Sequence, residues 1–94
     1  KPAFVMFKKS DNTGNWWMFD SARNEYNYVD KMLAADSALS ESGIYIDERI
    51  DILSNGFKLR DSNSGLNGST STFIFMALAE NPFGGSGVSP ATAR

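Results

Sequence analysis

Ninety-four residues with 41% hydrophobic and 13% aromatic content against 21% charged make at most one small domain, and a folded one, since disordered chains carry few aromatics. The net charge of −2, with nine Lys and Arg scattered between Lys1 and Arg94 and only Lys8 and Lys9 adjacent, leaves no basic stripe for nucleic acid. Cysteine and histidine are both absent, which excludes disulfides, thiolate nucleophiles, Cys-ligated zinc, a Ser-His-Asp arrangement and the ordinary general base of neutral pH.

A chain of this length buries only about 60 to 65% of its unfolded surface, so it is marginally stable alone or borrows stability from neighbours. No apolar run approaches the roughly 18 to 20 residues that span a bilayer, and the N-terminus lacks a basic region followed by an apolar stretch. Neither membrane insertion nor a signal peptide is expected. The first residue is Lys1 rather than Met and opens an apolar strand pattern, which fits a processed product or a segment of a longer polypeptide.

Residues 3–8 are apolar on both alternating faces and predict a strand covered on both sides. The cluster Asp11, Asn12, Thr13, Gly14, Asn15 is turn chemistry and predicts a hairpin from 3–8 into a second strand at 16–20. In that second strand Trp16 and Trp17 point to opposite faces, so only one of them can enter the core. Residues 21–30 read as an ordered polar loop carrying Tyr26 and Tyr28, 31–35 as a short strand or helical turn, and 36–43 as a small polar segment with room for one helical turn.

Residues 49–53 alternate, Asn55-Gly56 supplies the dipeptide favoured in two-residue hairpin turns, and 57–60 alternate again with Phe57 and Leu59 on one face. Residues 61–70 have loop composition. Residues 72–79 form a strongly apolar strand, with Phe73, Phe75 and Ala77 on one face and Ile74, Met76 and Leu78 on the other, and both faces need cover. The two apolar strands, 3–8 and 72–79, are expected to be central neighbours that bring the chain ends together. Pro82 ends the pattern, and 84–94 are too rich in Gly, Ser and Pro to build a core. The expected fold is all-β: a small β-sandwich or barrel-like module over residues 1–83, followed by an irregular, flexible arm or linker at 84–94.

The best binding or interface candidates are aromatic: Trp16, Trp17, Tyr26, Tyr28, Tyr45 and Phe83, whose large apolar surfaces and polar tips anchor subunit interfaces or stack on sugars. The competing reading places one Trp in the core with tyrosines covering it under loops. Carboxylates offer the remaining chemistry. Asp20, Glu25 and Asp30 flank the Tyr-rich loop and Asp47, Glu48 and Asp51 cluster, but glycoside hydrolysis needs a pair facing across about 5 to 10 Å, which spacing does not place. Solvated loop carboxylates and turn caps are the favoured reading, so no catalytic residue is expected. Asp61-Ser62-Asn63-Ser64-Gly65-Leu66-Asn67 begins like a calcium loop but has Leu66 where Gly is needed and Thr72 where a bidentate Glu is needed. A looser oxygen site from Asp61, Asn63 and Asn67 is the residual alternative; no metal or cofactor is expected.

Four segments in order, KPAFVMFKK, GNWWMFDSARN, LSNGFKLR and TFIFMALAENPF, resemble a β-rich module repeated in tail-fibre and other structural proteins of tailed bacteriophages. The shared pattern is an apolar strand ending in lysine, a Trp strand ending Asp-Ser-Ala-Arg, an Asn-Gly-Phe hairpin and an aromatic strand ending Ala-Glu-Asn-Pro-Phe. The resemblance covers most of the chain. It implies a non-enzymatic virion component (tail fibre, tail or capsid decoration) located in the particle and partnered by copies of itself and other virion proteins. A carbohydrate-recognising receptor-binding module that meets a host surface glycan is the alternative, and a glycan-cleaving enzyme the third reading.

Overall fold

A computed structural model of the chain describes residues 1–41, 49–60, 62 and 64–90. Six strands follow one another as β1 (Pro2–Lys9), β2 (Trp17–Asp20), β3 (Leu33–Ala34), β4 (Ile50–Leu53), β5 (Gly56–Leu59) and β6 (Phe73–Ala79), with one four-residue helix, α1 (Ser64–Asn67), before the last. They form two antiparallel sheets: a four-stranded sheet in the order β3-β2-β1-β6 and the hairpin β4-β5. The fold is therefore all-β, as composition and alternation predict. Among the described residues no helix is long and apolar enough to cross a membrane.

Alternation decides which side chains meet. Val5 and Phe7 of β1 stand beside Phe19 and Trp17 of β2 on one face, and Ile50 and Ile52 of the hairpin lie against them, with Val29 and Leu66 completing the buried core. The Phe7 ring stacks on Phe19 at 5.9 Å and on Phe57 of β5 at 6.1 Å, so one phenylalanine joins both layers. The hairpin is anchored from its other side as well. Val29 exchanges two main-chain hydrogen bonds with Ile50, and the Asn27 amide donates to the Ile52 carbonyl and accepts its N–H, both at 2.9 Å, replacing a missing strand.

Three expectations change. The hairpin turn lies one residue earlier than Asn55-Gly56: Leu53 pairs with Gly56, and Ser54 and Asn55 are the loop. This register sets Ile50 opposite Leu59 and Ile52 opposite Phe57, two apolar pairs, where the alternative would leave only one. The 61–70 segment contains α1, whose formation buries Leu66 beneath the core despite its loop-like composition. Of the two options for 31–35, a short strand or a helical turn, the strand holds, as β3 at Leu33–Ala34. Last, β6 pairs with β1 as expected and brings Glu80 to Lys1, but β1 is central and β6 lies at the sheet edge. The arm expected at 84–94 has local order at its start, where Gly85 and Val88 exchange two main-chain hydrogen bonds. The helical alternative for 36–43 falls partly outside the described residues.

Candidate functional site

The main-chain bonds of β6 define its free edge. Ser10 donates to the Thr72 carbonyl and Glu80 to the Lys1 carbonyl, so the even-numbered residues of β6 turn their polar groups toward β1. Direction alternates along a strand, and Phe73, Phe75, Ala77 and Ala79 therefore present their N–H and C=O groups outward. Among the described residues no strand pairs with that edge. Between Phe73 and Ala79 β6 has no charge and no proline to blunt that edge, and the one register irregularity in its pairing with β1 lies at Pro2–Phe4.

Its side chains are as open as its backbone. Phe75 is 65% exposed and Leu78 52%, with Ile74 and Met76 close behind. The outer face of the sheet continues this surface, because register places Leu33, Met18, Met6 and Met76 in one row across all four strands. On the inner face Phe75 meets Phe57 edge-on at 5.3 Å. Beyond it opens a cavity of about 800 Å³ lined by Phe57, Phe75, Ala77, Ala79, Val88 and Pro90 among others.

The aromatic candidates do not converge on one site. Trp17 is buried in the core, and Trp16 is half-buried, its main-chain N–H donating to the Asp36 carboxylate. Tyr26 and Tyr28 share the exposed loop between β2 and β3, where the Arg49 guanidinium sits over the Tyr28 ring at 4.4 Å from its centre. Phe83 is 94% exposed just after β6. Tyr45 lies outside the described residues, as do Asp47, Glu48, Asp61 and Asn63. Sequence reasoning placed the apolar faces of β6 under cover and so missed the outer row through Met6 and Met18. The signal was available in strand parity: Val5, Phe7, Trp17 and Phe19 fill one face, which forces Met6 and Met18 onto the other.

Several of the described carboxylates hold turns and ion pairs. Asp20 accepts N–H bonds from Ala22 at 3.0 Å and Arg23 at 2.8 Å and pairs with the Arg23 guanidinium, turning the chain out of β2. Burial pushes the Asp20 carboxyl up, but the Arg23 N–H, the Arg23 side chain and the Ala22 N–H outweigh it and hold the group below its ordinary value. Arg23 also reaches Glu41 at 3.5 Å, Asp30 accepts from Asn24 at 3.2 Å, and Asp51 pairs with Arg60 at 3.1 Å. Among the described residues no group of acidic side chains is arranged to hold a metal ion.

Fold and surface together define a small all-β domain whose most distinctive feature is an open sheet edge. Residues 1–82 match the domain of unknown function DUF7483, and the chain belongs to that family. No curated protein and no solved structure matches it.

Proposed function

We propose that this chain is a structural module of a tailed-phage virion, a tail-fibre, tail or capsid-decoration component that works by protein–protein assembly rather than catalysis. The phage assignment rests on the resemblance of the four ordered segments. The observation that carries the assembly reading is β6, an uncharged strand with exposed side chains and an edge that no strand among the described residues pairs with. Such an edge in water is a template for another chain. Antibodies raised against the domain should label tails or capsids of a phage encoding it, and its peptides should appear in digests of purified particles. Particles that contain no copy of the chain would refute the reading.

One observation favours a second reading, recognition of a host glycan: Tyr26 and Tyr28 are both exposed in one loop, with the Arg49 guanidinium over the Tyr28 ring. Binding of an oligosaccharide that is lost in Tyr28→Ala while the fold is retained would support it. Uniform silence across a broad glycan array would remove it.

A further inference from the structure

Resting on the assembly reading, we infer that the occupant of the β6 edge is a second copy of this chain, paired antiparallel through β6 about a twofold axis at Met76. Three independent features of the strand lead there.

The first is hydrogen bonding. An axis at Met76 sets Phe73 opposite Ala79 and Phe75 opposite Ala77, and these four residues are the ones whose N–H and C=O groups face the free edge. Every outward group between Phe73 and Ala79 is then paired in both copies, and the two four-stranded sheets become one continuous sheet. Axes at Phe75 or Ala77 keep the bonding parity but leave one end of the strand unpaired.

The second is size. The strand is large at its start and small at its end on the inner face, with Phe73 and Phe75 followed by Ala77 and Ala79. The axis at Met76 brings each phenylalanine against an alanine, while on the outer face Ile74 meets Leu78 and Met76 meets itself. An axis at Phe75 sets Phe75 against Phe75.

The third is the cavity. It is lined by Phe75, Ala77 and Ala79 of β6 together with Phe57, Val88 and Pro90, and not by Phe73. That is where the twofold delivers the second copy's Phe75 and Phe73. Beyond the strand, Glu80 faces Thr72 rather than another carboxylate, so no like charges oppose. The exposed parts of Ile74, Phe75, Met76 and Leu78, at roughly 200 Å² per large side chain, amount to about 400 Å² per copy. This is an upper bound on what the pairing covers and about half a standard interface contribution, so the expected association is a weak one.

The test is sedimentation of the purified domain up to about 100 µM, a range suited to a small interface. Wild type should show a monomer–dimer equilibrium. Ala77→Pro removes an N–H that faces the free edge, where no strand among the described residues pairs with it, and it should sediment as a monomer with an unchanged circular dichroism spectrum. Leu78→Lys on the outer face should do the same by an independent route. Register is read with cysteine, which the chain lacks. Residues opposite one another in a non-hydrogen-bonded antiparallel pair lie about 4.5 Å apart at Cα, within disulfide range. Met76→Cys should therefore give a covalent dimer in air, whereas Ile74→Cys and Leu78→Cys should crosslink only when mixed. A monomer at all concentrations, or self-crosslinking of Ile74→Cys in preference to Met76→Cys, overturns the inference. Either result leaves the virion assignment standing if particles contain the chain, and only their lack of it defeats both.

Discussion

Truncating each tryptophan separately tests the core assignment most directly. Trp17 is 8% exposed between Phe7 of β1 and Ala34 of β3, its two cross-strand partners, while Trp16 is only half-buried at the mouth of the strand. Trp17→Ala removes roughly 150 Å² of buried apolar surface, worth about 4 kcal/mol at 25 cal/mol per Å². That agrees with the range of about 3 to 5 kcal/mol for large-to-small core changes involving aromatics. Trp16→Ala removes less from water and should cost under about 1.5 kcal/mol. Against a total stability of about 5 to 15 kcal/mol, the first change consumes much of the margin and lowers the melting temperature by roughly 15 °C or more. Urea melts followed by the remaining tryptophan give both numbers. Trp16→Ala leaves a blue-shifted emission from Trp17, and Trp17→Ala a redder one from Trp16. Equal costs for the two substitutions, or emission maxima in the opposite order, would refute the assignment of faces.

Asp20 has a folded value below its ordinary one, so its contribution is fully present above the unfolded value and disappears as pH falls through the folded value. Stability measured by urea melts should therefore drop below about pH 4, and Asp20→Asn should flatten that slope while costing stability at pH 7. Asn27→Ala strips both side-chain bonds from the Ile52 main chain and should cost about 1 to 3 kcal/mol, with faster amide exchange at Ile52 as the specific readout. Gly56 opens β5 at φ +156° with nothing within 4 Å of an added Cβ. Gly56→Ala should cost about 1 to 3 kcal/mol through backbone conformation alone, and an unchanged melt would contradict the turn geometry.

Much of this architecture is legible in the chain because its strands advertise themselves. Residues 3–8, 16–20 and 72–79 are rich in aromatic and apolar side chains, the turn clusters separate them, and the pairing of β1 with both β2 and β6 follows. What escaped has physical causes. Leu66 is the only large apolar residue in a Ser-, Gly- and Asn-rich stretch, so α1 has no periodic signal. Val29 closes the core from a loop that otherwise looks solvated. The dipeptide Asn55-Gly56 signals a hairpin but not its register, which the Ile50–Leu59 and Ile52–Phe57 pairs decide. An apolar strand reads as central because pattern records the need for cover and not its presence, and so β6 looked buried while standing at an edge.

That exposure is a matter of widths. Strands in a sheet stand about 4.8 Å apart, so four strands span roughly 14 Å between outer axes while a hairpin spans one interval. The β4-β5 hairpin sits over Phe7 and Phe19 and is tied toward the β2–β3 loop by Asn27 and Val29, which fixes it away from β6. Phe57 reaches across, touching Phe75 by its ring edge. A broader second layer would have covered the inner face of β6, and a charge or proline would have protected its edge. This strand has neither; it has phenylalanines at one end, alanines at the other, and a cavity over the alanines. A gradient of that kind is of no use to the isolated domain, where it leaves the cavity beside the small residues unfilled. In the proposed pairing the gradient becomes complementary, because an identical strand approaching in the opposite direction sets its phenylalanines against these alanines.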